Sequence, residues 1–252
     1  MPTVLQISDM HLLAEPGAQL LDTDTAQTLE AVLKQALAQR CPDLLLATGD
    51  LAHDCGAPGY ERFVRLVRRH YDGPVVALPG NHDLGDALRA VFSAADVTAP
   101  APHCASVAVG HWELLAIDSH RDGEPGGQLD EALLAALRAR VAAATGPLLL
   151  ALHHPLVPVG APWLDKDCPA NGASLLEWLA KQPALRAVVY GHVHQQVERM
   201  VGDCAVLGTP STCFQFAPHS ARFALDARPP GWRWLFLDEQ GDRLRTQVDR
   251  LQ

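Results

Sequence analysis

Apolar residues crowd into short β-rich runs at 3–8, 43–48 and 74–78, and between these runs the apolar period lengthens to that of a helix. Leu29, Val32, Leu33, Ala36 and Leu37 fall at i, i+3, i+4, i+7 and i+8, one stripe of a helix, while Glu30 and Lys34 make an i,i+4 pair on the wet side. Asp24, with Gln27 three residues on, marks the N-terminus of that helix. A second helix is predicted over 59–70, with Tyr60, Phe63, Val64 and Val67 facing inward. A third, over 130–144, leads to an apolar strand at 148–152, and a fourth, over 173–181, leads to a strand at 186–190. Residues 106–109 and 112–117 flank Gly110-His111, a two-residue hairpin turn. From Glu198 onward the pattern is strand and turn.

Strands that are apolar on both faces and alternate with helices need a sheet covered on both sides, and the β-rich end predicts a second sheet packed on the first. The expected fold class is therefore α/β. Its architecture is a four-layer α/β/β/α sandwich of two mixed sheets flanked by helices, one domain spanning 1–252, with the tail 203–252 completing the second sheet and the ligand pocket.

Composition narrows the function. Of 252 residues, 48% are hydrophobic and 19% charged, the profile of an ordinary globular protein. A formal net charge of −9 argues against a nucleic acid or an anionic membrane as partner. The six cysteines, Cys41, Cys55, Cys104, Cys168, Cys204 and Cys213, form no C-x-x-C pair, so they read as reduced, packed thiols. The opening MPTVLQIS enters a strand directly, and the expected location is the cytoplasm.

Polar chemistry sits where strands end. Asp9 and His11 follow the first strand, Asp50 the second, and Asn81 and His82 the third. His153 and His154 follow the strand at 148–152, and His192 and His194 the strand at 186–190. Parallel strands would bring all five clusters to one carboxyl-end edge, where open α/β folds bind ligands. Singly, each cluster fits a turn or a cap. Together, Asp9, His11, Asp50, Asn81, His153, His192 and His194 suit two metal ions, each with four protein ligands if Asp50 bridges. Mixed carboxylate, amide and imidazole donors without cysteine favour iron, manganese or zinc over a structural zinc site.

The series D-x-H, G-D, G-N-H-D, H-x-P and G-H-x-H, complete and in order from Asp9 to His194, resembles that of the calcineurin-like metallophosphoesterases. The resemblance implies that Asp9, His11, Asp50 and His194 hold one ion, while Asp50, Asn81, His153 and His192 hold the other. It implies two divalent or trivalent ions, iron or manganese foremost, with zinc, cobalt or magnesium as alternatives. His82 is then no ligand but sits over the pocket as an acid or a phosphate contact, with Asp83 either steadying it or capping the turn. Trp163-Leu164-Asp165, residues 208–216 and Pro230-Gly231-Trp232-Arg233 are similar to stretches of the bacterial class III cyclic-AMP phosphodiesterases.

These resemblances imply hydrolysis of a small cyclic nucleotide, 3′,5′-cyclic AMP to 5′-AMP. Two ions ~4 Å apart can lower the pKa of a shared water to about 7 and so supply a bridging hydroxide as nucleophile. Asp50, Asn81 and His82 are the expected catalytic residues. Asn81, His82, His194, His154, Ser211 and Thr212 are the expected contacts to substrate, and Trp163, Phe214 and Phe216 are candidates for the base. Other phosphodiesters, such as 2′,3′-cyclic nucleotides or glycerophosphodiesters, and phosphomonoesters are alternative substrates, and a non-catalytic scaffold is the alternative from another class.

Overall fold

The computed structural model describes residues 1–53, 56–101, 103–240 and 243–252; Cys55 lies outside them. Among the described residues, elements are numbered in chain order. The first sheet contains β1 (Thr3–Ile7), β2 (Leu44–Thr48), β3 (Val75–Leu78), β12 (Gly231–Leu237) and β13 (Leu244–Arg250), in the order β13-β12-β1-β2-β3. The second contains β4 (Cys104–Val109), β5 (Trp112–Ile117), β6 (Leu148–Ala151), β7 (Leu185–Tyr190), β8 (Val197–Val201) and β9 (Cys204–Gly208), in the order β4-β5-β6-β7-β9-β8. A short ribbon pairs β10 (Gln215–Phe216) with β11 (Leu225–Asp226).

Helices α1 (Thr25–Gln39), α2 (Ala57–Arg68) and α3 (Gly85–Ala94) cover the first sheet. The second is covered by α4 (Glu131–Ala143) and α6 (Gly172–Leu179), with the single turn α5 (Pro162–Asp165) beside them. Period-two alternation sorts the strand residues between layers. Leu5, Ile7, Leu45 and Ala47 face the helices, whereas Val4, Leu44 and Leu46 meet Leu114, Leu149, Val189 and Leu207 of the second sheet. The α/β/β/α layering follows from this division of apolar faces.

Capping fixes the helix starts that the sequence marks. Asp24 accepts from the Gln27 N–H at 3.0 Å and Asp130 from the Leu133 N–H at 2.8 Å. The hairpin forms as expected, with Val109 opposite Trp112 and Gly110 at φ 63°. Helix α3 was not anticipated. No side-chain cap opens it; instead the Leu84 N–H donates to the Tyr60 hydroxyl at 2.7 Å, a tertiary contact without a local signal.

The tail departs from expectation. Only β9 joins the second sheet, while β12 runs antiparallel to β1 and carries β13 with it into the first. Each sheet otherwise has β1 or β7 as an unpaired edge, and the tail covers both.

Arg233 on β12 ties the two sheets together. Fully buried, it donates to the Gly208 carbonyl of β9 at 2.9 Å, to Thr246 of β13 at 2.6 Å and to Glu198 of β8 at 3.2 Å. Arg233→Ala should lower the unfolding free energy by ~3 kcal/mol, because it leaves buried acceptors unbonded and opens a cavity. Glu198 is about half exposed and regains water, so its lost ion pair adds little. Urea unfolding followed by circular dichroism measures the change; a shift under 1 kcal/mol, against the ~1–3 expected per orphaned buried group, would contradict this role.

Candidate metal centre

The five strand exits belong to two sheets, not to one edge. β1, β2 and β3 are mutually parallel in the first, and β6 and β7 are parallel in the second. Their carboxyl ends nevertheless meet across the sandwich, since the His192 N–H donates to Asp9 Oδ1 at 3.0 Å. All seven expected donors are brought together.

The turns that do this are strained. Asp9, His11, Asp50, His192 and His194 all adopt the left-handed region, with φ between 47° and 64°. Each such residue costs on the order of 1 kcal/mol. Backbone bonds hold the turns: Asp9 N–H to Gly49 O at 3.0 Å and His11 N–H to Asp50 O at 2.8 Å. The glycines of the motifs allow the close approach. A Cβ on Gly80 would stand 2.2 Å from Asp50 Oδ1, and one on Gly191 would stand 2.1 Å from Ser8 Oγ.

Two donor groups share one carboxylate. His11 Nε2 lies 3.1 Å from His194 Nε2, and His194 Nε2 lies 3.5 Å from Asp9 Oδ1. On the other side, Asn81 Oδ1 lies 3.1 Å from His153 Nε2 and 2.9 Å from His192 Nδ1. Asp50 Oδ2 stands 3.6 Å from His11 Nε2 and 3.5 Å from His153 Nε2, between the two groups.

The donors fit cations. His153 Nδ1 donates to the Thr48 carbonyl and His194 Nδ1 to the Phe214 carbonyl, both at 2.8 Å, so each leaves an Nε2 lone pair aimed inward. Burial keeps these rings neutral, pushing the pKa of His153 down to about 4 and that of His194 down to about 3. Lone pairs thus face carboxylate and amide oxygens at 3.1–3.6 Å, and Asp9 Oδ2 is buried without a hydrogen bond. Burial, then the charge of Asp50, also raises the Asp9 carboxyl well above its ordinary value. A positive charge between such groups relieves every one of these conflicts.

The remaining expected residues divide. His82 is half-buried and lines the cleft; its N–H donates to Asp50 Oδ1 at 2.9 Å, and its ring lies 4.9 Å from that of His11. Asp83 caps the turn, since its carboxylate accepts from the Gly80, Leu51 and Ala52 N–H groups at 2.8–3.1 Å and so braces two strand exits. Burial and the charge of Asp50 push its pKa up to about 7.

His154, Ser211 and Thr212, the other expected substrate contacts, stand apart from the cleft wall. All three are fully buried and none lines the cleft. His154 follows His153 directly and is turned inward, with its ring nitrogens engaged by Ser119 at 3.0 Å and Pro125 at 3.3 Å. The Ser211 hydroxyl donates to the Asp9 carbonyl at 2.8 Å, and the Thr212 N–H to the Ser8 carbonyl at 3.0 Å. These two residues brace the Asp9 turn from behind. Cys213 is packed there as well, fully covered.

Two neighbours carried no sequence signal. His53 places Nδ1 3.3 Å from His11 Nδ1 and stacks on His82 with centroids 4.6 Å apart. Asp167 lines the cleft beside His192. The cleft, about 200 Å³, is also walled by Trp163, Leu164, Lys166 and Phe216, and the Phe216 ring stacks on His194 at 4.1 Å. Phe214 lies behind, 5.1 Å from His194. A second hollow of about 400 Å³, lined by Arg62, Arg65 and Arg69, contains none of the strand-exit residues, and Arg62 is committed to the carbonyls of Leu13, Ala14 and Glu15.

Comparison with known proteins agrees with this geometry. The family model described as calcineurin-like phosphoesterase matches residues 2–196. The 3′,5′-cyclic adenosine monophosphate phosphodiesterase CpdA of Pseudomonas aeruginosa is 39% identical over 250 residues, covering 98% of this chain and 89% of that protein. CpdA of Escherichia coli K12 is 39% identical over 252 residues, with the same coverage. Among solved structures, a dimetal phosphatase from Danio rerio superposes with a TM-score of 0.65 at 16% identity, over 97% of this chain and 98% of that one.

Proposed function

Because this chain belongs to the calcineurin-like phosphoesterase family, we propose that it is a metal-dependent cyclic nucleotide phosphodiesterase that hydrolyses 3′,5′-cyclic AMP to 5′-AMP. The observation that carries the reading is the pairing of near full-length 39% identity to CpdA with a complete donor set shared through Asp50. Asp9, His11, Asp50 and His194 would hold one ion, and Asp50, Asn81, His153 and His192 the other. Iron or manganese suits this mixture of imidazole, carboxylate and amide donors, with zinc, cobalt or magnesium as the alternatives.

Bound there, the ions would supply Lewis-acid neutralisation of phosphoryl oxygens and a water acidic enough to attack at neutral pH. The chain's own residues orient and protonate. His82 lines the cleft, and in this reading it would donate a proton to the ribose 3′-oxygen as the P–O3′ bond breaks. Trp163 and Phe216 offer apolar ring surface beside the cleft for the base. No helix among the described residues is long and apolar enough to cross a membrane. The free thiols Cys41, Cys104, Cys168, Cys204 and Cys213 support a cytoplasmic site of action, with the substrate in the same compartment.

Turnover of 3′,5′-cyclic AMP, 2′,3′-cyclic AMP and bis(p-nitrophenyl) phosphate by the metal-reconstituted protein tests the assignment. The 3′,5′ isomer should have the highest kcat/KM of the two cyclic nucleotides; if it is the poorest of the three compounds, the substrate assignment fails.

A further inference from the structure

The turn after α5 places in the cleft wall a carboxylate that the seven donors do not use. Asp167 is 8% exposed and lines the cleft with His11, Asp50, Asn81 and His82. Its Oδ2 stands 3.5 Å from His192 Nε2, across the ring from the Nδ1 that meets Asn81 Oδ1. Its backbone is pinned on both sides, with the Asp167 N–H donating to the Leu164 carbonyl and the Asp167 carbonyl accepting from the Gly127 N–H, each at 2.9 Å.

A negative group in the wall of an anion site opposes every phosphate ligand, but not equally. A phosphodiester carries one negative charge, whereas a phosphomonoester carries nearly two at neutral pH. Repulsion grows with the charge of the ligand, and one extra unit a few ångströms away in a poorly hydrated cleft is a penalty of about tenfold or more. Lys166, next in the chain, also reaches the cleft but is exposed at its rim, where water and salt screen it.

We propose that Asp167 is a charge filter, which admits monoanionic phosphodiesters and rejects dianionic phosphomonoesters. The same charge repels 5′-AMP from the centre that forms it. This role rests on the phosphodiesterase reading and refines its substrate class.

Asp167→Asn removes the charge and keeps an oxygen able to accept from the His192 Nε2–H. For this variant the ratio of kcat/KM on p-nitrophenyl phosphate to that on bis(p-nitrophenyl) phosphate should rise about tenfold. Inorganic phosphate titrated calorimetrically into the metal-loaded protein should bind about tenfold more tightly. Asp167→Glu should keep both quantities near those of the unaltered protein, and Asp167→Ser serves in place of the Asn variant should that one not fold. An unchanged ratio and unchanged phosphate affinity would overturn the proposal. So would equal losses on both esters accompanied by reduced metal content, which would make Asp167 a support for His192 alone. An unaltered, metal-loaded protein that cleaves neither cyclic AMP nor the aryl diester would instead remove the phosphodiesterase reading itself, and the filter with it.

Discussion

Asp50→Ala should cost at least about 10³-fold in kcat/KM on cyclic AMP, beyond the ~10–100-fold typical when only a partner behind a metal ligand is lost. The reason is positional. Among the described residues, Asp50 Oδ2 is the one carboxylate oxygen within 3.6 Å of both His11 and His153, so its removal would subtract a donor from each half of the centre at once. Metal content measured by plasma mass spectrometry should fall below two ions per chain. The metal-free variant should still fold, because truncation relieves a repulsion: burial and the charge of Asp50 together raise the carboxyls of Asp9 and Asp83. Among the described residues, the side-chain hydrogen bond lost is that from the His82 N–H to Asp50 Oδ1, worth ~1 kcal/mol. Circular dichroism and urea unfolding of both proteins without metal separate a lost site from a lost fold. Two retained ions with turnover near that of the unaltered protein would rule out the shared position of Asp50.

The donors were legible because their chemistry is local: each follows an apolar run by one to four residues, and chain order alone groups them. What the chain order does not contain is which sheet each run enters. Chain order alone puts β1–β3 and β6–β7 on one edge, yet they line two sheets, because β1 takes β12 from far along the chain as its neighbour and β6 takes β5 of the hairpin. Side-chain direction was equally hidden. His153 and His154 are adjacent, and only the fold turns one toward Asp50 and the other toward Ser119. Ser211 and Thr212 share a stretch with the aromatic candidates, but their hydroxyl and amide groups serve the Asp9 turn. Helix α3 escaped for a related reason, since its first turn is capped by Tyr60 of α2 and not by a residue of its own.

Strain and centre belong to one design. Five of the seven donors sit in left-handed turns, a summed cost on the order of 5 kcal/mol that the rest of the fold helps to offset. The returns come from behind, through Asp83 gripping two strand exits and through Ser211 gripping Asp9. Sheets held together by Arg233 and by the apolar layer around Leu46 and Leu149 keep the two halves of the donor set in register. Metal affinity in this protein is thus expected to track the integrity of groups that never touch the ions.

His82→Ala should separate proton donation from charge stabilisation. The bond from the His82 backbone N–H to Asp50 Oδ1 survives the substitution, so metal content should remain that of the unaltered protein. The half-buried ring that is lost faces the cleft, against His11 at 4.9 Å and His53 at 4.6 Å. Removing a general acid costs about 10²–10⁴-fold when the leaving group is a poor one, as the ribose 3′-alkoxide of cyclic AMP is. Nitrophenolate is a stable anion that departs without a proton, so kcat on bis(p-nitrophenyl) phosphate should fall by less than about tenfold, the part owed to lost charge stabilisation alone. Equal losses on the two substrates would make His82 an electrostatic clamp. Because the two roles differ in how the loss scales with the leaving group, a series of aryl diesters of graded acidity should give a steeper dependence for the variant than for the unaltered protein, and parallel slopes would exclude proton transfer from this ring.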